Sequence, residues 1–208
     1  MPESIVQVTE GVGKKLHTWQ KTIGANVVED EVIVVGDQYL PSYFTSTGVG
    51  IAAGTAASHL IQIMAGASLR VYLRRLMVYQ VAMATAASTH DFILTRLTTA
   101  GTGGGVLGVA TMDPADVAAG ATAMSLPTTK GTEGASGGWR GQVYFNQTLP
   151  TALATPYGML ILDLDFDKLR VKPPIIAAGA ANGLALKNAT AIAGATVTVV
   201  AYLTEASF

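Results

Sequence analysis

The sequence predicts an all-β protein: an antiparallel, jelly-roll-like β-sandwich with one short helix and an extended N-terminal arm. Two observations carry this expectation. The stretch Lys172–Asn188 reads as a turn, a short strand and a turn, and the alternating run Ala195–Glu205 reads as a long final strand. Eight or nine strand-like runs are spread along the 208 residues, with loops between them and no repeated alternation of strand and helix. That spacing favours a sandwich of antiparallel sheets over a parallel sheet.

The elements follow in chain order. Residues 1–31 are polar and mixed, with Gly11, Gly13 and Gly24, and are expected to form an extended arm or an early hairpin. Residues 32–208 are expected to form a single sandwich domain. Val32–Val35 is a short β-branched run, and Tyr39–Phe44 extends it past Pro41, which places this segment at an edge or in a loop. Residues 45–57 are small and turn-like. His59–Met64 is a strand, and Ala65–Ser68 a turn into the run Leu69–Gln80. In that run Leu69, Val71 and Leu73 share a face, but Leu76 and Val78 take over the inward role beyond Arg75. A period of two that slips by one residue predicts a β-bulge near Arg74–Arg75; a strand buried on both faces would need none. Asp91–Thr98 is the next strand. Asp113–Gly120 has the marks of a short helix: Asp113 as cap, Pro114 in the first turn, Gly120 at the end. Residues 127–138 read as a long exposed loop, and Gln142–Gln147 and Met159–Phe166 as alternating strands. The latter turns Leu160, Leu162, Leu164 and Phe166 inward; the final strand turns Val197, Val199, Ala201 and Leu203 inward.

Composition points to association. Half of the residues are apolar and only 13% are charged, against roughly 25% in ordinary soluble domains. A surface this poor in charge is expected to be covered in part by partners. The formal net charge is −1, and Lys14–Lys15 and Arg74–Arg75 are isolated basic pairs. Nucleic-acid binding draws on several clustered cations, so no nucleic-acid partner is expected. There is no cysteine, which excludes disulfides and thiolate chemistry. The start Met1-Pro-Glu-Ser lacks the basic and apolar regions of a signal peptide, and no apolar stretch reaches the ~20 residues of a membrane helix, so no membrane partner is expected.

No catalytic, cofactor-binding or metal-binding residue is assigned, and the chain is not expected to be an enzyme. Asp163, Asp165 and Asp167 lie on one face of a strand and could hold a calcium ion. Lys168 and Arg170 offer the plainer alternative of ion pairing, and no glutamate closes a calcium loop. His17, His59 and His90 are too far apart in sequence to form a metal pair. Gly101–Gly105 has the glycines of a phosphate cradle without its Lys-Ser/Thr, so it reads as a flexible loop. Trp19, Trp139, Tyr144 and Tyr157 could line a sugar face but suit a core or an interface better.

The segments Leu60–Ser68, Arg74–Arg75, Arg96–Gly104, Gly120–Pro127, Lys130–Gly134 and Ala178–Asn188 together resemble a group of tailed-bacteriophage virion structural proteins. The resemblance spans about residues 55–205 and consists of turn and strand signatures without catalytic content. Within that group it is nearest to small β-sandwich capsid decoration, or cement, proteins. It implies a homotrimer on the capsid surface of the virion that contacts the major capsid protein and stabilises the head. The alternative it leaves is a neck, tail or fibre protein that binds a host-surface glycan, with Trp139 and Asp163/Asp165 as candidate contacts, or that joins virion parts. No site residue carries over.

Overall fold

The computed structural model describes residues 3–7, 15–23, 26–31, 40–48, 50–53, 58–82, 84, 88–134, 140–145, 159–190 and 192–206, with backbone only for 3–31, 88 and 140–145. The chain divides into two compact units, Met1–Tyr39 and Leu40–Phe208. In the first, β1 (Glu3–Gln7), β2 (Lys15–Ile23) and β3 (Asn26–Glu31) form an antiparallel three-stranded sheet in the order β1-β2-β3. Residues 1–31, expected as an arm or an early hairpin, are thus paired strands wherever they are described. The expected strand Val32–Val35 lies outside the described residues.

The second unit is a sandwich of two antiparallel sheets. Its eight principal strands are β4 (Ser42–Ser46), β6 (His59–Met64), β7 (Arg70–Ala82), β8 (Ser88–Leu97), β12 (Arg140–Phe145), β13 (Met159–Asp165), β15 (Gly183–Asn188) and β16 (Thr196–Ala206). One sheet runs β4-β16-β7-β13 and the other β6-β15-β8-β12. Counted along the chain, the order is 1-8-3-6 facing 2-7-4-5. That is the jelly roll, two Greek keys wound into facing sheets.

Alternation of side chains makes the core. Val197, Val199, Ala201 and Leu203 of β16 are all buried, and they meet Val71, Leu73, Leu76 and Val78 of β7. Leu60, Ile63, Phe92, Leu94, Leu184 and Leu186 join them from the opposite sheet. The predicted bulge is present: Tyr202 pairs with Arg75 and Leu203 with Leu73, so Arg74 is the extra residue. It keeps Leu73 and Leu76 both inside while Arg74 and Arg75 stay on the outer face.

Five short strands complete the sheets: β5 (Ile51–Ala52), β9 (Gly105–Leu107), β10 (Val109–Thr111), β11 (Thr122–Ser125) and β14 (Ile175–Ile176). β9 and β11 extend one sheet beyond β6, whereas β10 extends the other beyond β4. The chain therefore changes sheets at Gly108 and ties the two layers together along one flank.

Three expectations are corrected. Asp113–Gly120 forms a turn and no helix: Ala115 N–H donates to Asp113 Oδ1 at 2.9 Å and Asp116 N–H to Asp113 C=O at 3.0 Å, and the chain then extends. The cap forms, but Tyr43 Oη donates to Val117 C=O, and Glu205 takes the Gly120 and Ala121 amides, so tertiary partners replace the helical ones. Leu160 is exposed rather than inward, because β13 carries a bulge at Ile161 that resets the phase before Leu162. The segment 127–134 is not a free loop: Pro127 and Gly131 are buried, and Glu133 packs against β6 and β15.

Candidate functional site

The outer face of β6 holds a polar cluster built on two buried side chains, His59 and Gln62. β6 is buried on both faces because the two ends of the excursion between β8 and β12, around Gly101 and Glu133, reach its outer face. A bulge at Leu60 brings His59 onto the same outer face as Gln62 and Lys187. Gln62 Oε1 accepts the Gly101 N–H at 2.8 Å, so its amide nitrogen must donate to His59 Nδ1, 2.6 Å away. His59 then carries its proton on Nε2 and donates it to Glu133 Oε1 at 3.1 Å. Lys187 Nζ donates to Glu133 Oε2, and Lys130 Nζ lies 3.5 Å from Oε1.

The electrostatics follow from these contacts. Burial pushes His59 below the ordinary imidazole value, against the raising influence of Glu133. For Glu133 burial pushes upward, but hydrogen bonds from Lys187 and His59 outweigh it and hold the carboxyl at about 2. At neutral pH a neutral histidine faces an ionised glutamate. The arrangement resembles the base and orienting acid of a hydrolase, but Gln62 fills the position where a nucleophile would sit. Its chemistry is that of a latch that fastens the excursion to the sheet.

Asn188 and Glu205 are spent in the same way. His90 is fully buried, stacked on Phe92 with ring centroids 5.3 Å apart, and burial lowers it to about 4. Asn188 Oδ1 accepts the Asp91 N–H, which turns its amide nitrogen towards His90 Nδ1 at 3.2 Å. Glu205, buried at the end of β16, accepts the Gly120 and Ala121 N–H groups at 3.0 and 2.6 Å. His17, Trp19, Trp139, Tyr144 and Tyr157 have no described side chain.

Each of the three aspartates pairs with a cation. Asp163 forms a two-pronged pair with Arg75, at 2.8 and 2.7 Å, Asp165 lies 3.3 Å from Lys168 Nζ, and Asp167 lies 3.4 Å from Arg74. The hydrogen bonds from Arg75 hold Asp163 below the ordinary carboxylate range. Sequence reasoning found the partner Lys168 but not the two arginines, which the β7–β13 pairing brings across. Among the described residues no group of three or more metal-ligating side chains forms.

A shallow pocket of about 370 Å³ lies where β8 ends and β15 begins, lined by Arg96, Thr98, Ile176 and Asn182 among others. Arg96 crosses it to donate to Ile175 C=O at 2.6 Å. No protein-family model, curated protein or solved structure matches the chain. Among the described residues no helix is long and apolar enough to cross a membrane. What the surface does present is apolar: Val106, Met112, Val117, Leu160, Leu169 and Val171 are all exposed.

Proposed function

We propose that the chain is a non-enzymatic structural protein of a phage virion: a capsid decoration protein that assembles as a homotrimer and stabilises the head by contact with the major capsid protein. One observation carries the reading. His59, Glu133, Asp163 and Glu205 are committed to fastening strands and loops, whereas large apolar side chains stand in solvent. A protein that works by covering surfaces has this distribution; an enzyme collects its ionisable groups around a cleft. The 13% charge content fits the same reading, since a neutral exterior associates readily. The segment resemblance supplies the virion setting.

Purified particles provide the test. The protein is expected in their composition at a fixed ratio to the shell protein, as density on the outside of the head by electron microscopy. Particles lacking it are expected to lose DNA at lower temperature. Its absence from purified particles would refute the reading.

A further inference from the structure

The turn that leaves β13 carries an alternation that the composition hides: Lys168-Leu-Arg-Val-Lys172, three cations spaced by two branched apolar residues. All five residues are exposed, Leu169 by 54% and Val171 by 51%. Lys168 reaches Asp165, but neither the Arg170 side chain nor that of Lys172 has a partner among the described residues. Three of the chain's 13 cations fall within these five residues, and the preceding Asp165 and Asp167 carboxylates engage Lys168 and Arg74 and not Arg170 or Lys172.

The backbone gives a second, independent observation. Arg170 sits at φ 53°, in the left-handed region that glycine normally fills, while its N–H donates to Asp167 C=O at 3.2 Å. The fold would hold this turn more easily with glycine, and no contact within the described fold repays the arginine. Backbone strain kept for a side chain with no internal role marks a surface that acts outward.

We propose that Lys168–Lys172 is a docking surface for an acidic polypeptide, one that sets carboxylates against Lys168, Arg170 and Lys172 and apolar side chains against Leu169 and Val171. The mix of charges and branched apolar groups selects protein over the other polyanions. Three cations are few for a phosphate backbone, and the two apolar residues would gain nothing from one. The surface lies at the end of the sheet where β16 finishes, and exposed Met112 follows β10 at that same end, hydrogen-bonded to Ser42. This inference holds for any acidic protein partner, so it stands or falls apart from the virion reading.

The test uses the full chain and a capped octapeptide alternating glutamate with leucine or valine, with binding read as amide shifts at 168–172. The peptide is expected to bind more tightly than an all-glutamate peptide, with affinity that falls as salt rises. R170G is expected to keep or raise Tm while weakening binding roughly tenfold, and K172E to weaken it without a change in Tm. A fall in Tm for R170G would assign the side chain to the fold and overturn the proposal. So would unchanged binding in both variants, no peptide binding at low salt, or tighter binding to a single-stranded oligonucleotide or to anionic vesicles than to the peptide.

Discussion

Burial of two histidines as neutral rings gives the protein a definite response to acid. His90 is held at about 4 in the folded chain, against 6.5 when unfolded. The unfolded state therefore takes up a proton first as pH falls, and stability is lost between pH 6.5 and about 4. The depressed His59 acts in the same direction. Glu133, held at about 2 against 4.5, extends the loss: its contribution is complete above pH 4.5 and fades towards pH 2. Urea unfolding across this range is expected to show a fall of up to about 3 kcal/mol from His90 alone. His90→Gln, which keeps an acceptor for the Asn188 amide, is expected to flatten the upper part of the profile; an unchanged slope would mean that His90 is not its source. Glu133→Gln leaves Lys187 half-buried without its carboxylate and is expected to cost on the order of 1–2 kcal/mol. His59 and Gln62 could be noticed in sequence as polar residues inside an apolar strand. Their partner could not, because Glu133 lies 74 residues from His59 and only the path of the excursion joins them.

Strand elements were legible in sequence to the extent that polarity marked their phase. The bulge at Arg74 could be read because two arginines interrupt an apolar alternation, and no other pairing keeps both Leu73 and Leu76 inside. The bulges at Leu60 and Ile161 left no such trace. Each lies among apolar neighbours, where either phase looks hydrophobic, and so Leu160 was assigned to the wrong face. The loop readings of Gly101–Gly105 and residues 127–138 mislead for the complementary reason. Their Gly, Thr and Ser content suggests free loops, but small residues are also what close approach of two backbone segments requires. A Cβ at Gly131 would stand 2.2 Å from Thr99 C=O, and one at Gly101 2.7 Å from Thr129 C=O. Gly131→Ala is therefore expected to destabilise by about 2 kcal/mol or more and to act locally. Amide exchange should quicken across 98–134 while β7 and β16 keep their protection. Uniform loss of protection throughout the sandwich would show that the excursion unfolds only with the core.

At the scale of the molecule, the strand order closes the sandwich on itself. β1, β2 and β3 form a sheet of their own, and neither sandwich sheet includes them. The jelly-roll order brings the first principal strand beside the last, as Phe44 pairs with Tyr202, so the fold closes within Leu40–Phe208. That closure could be expected from the long terminal alternation, which marks a central strand, although the strand order itself could not: alternating apolar strands pair equally well with several neighbours. Removal of residues 1–39 is thus expected to leave the β circular-dichroism signal and the cooperative thermal transition of the sandwich intact. Native mass of the full chain and of the shortened one then locates the association that the low charge content implies. If the exposed apolar groups of the sandwich hold an oligomer, both chains give the same number of subunits; if the first unit does, the shortened chain is a monomer. Collapse of the β signal on removal of residues 1–39 would place part of that unit in the core and contradict the independence of the second unit.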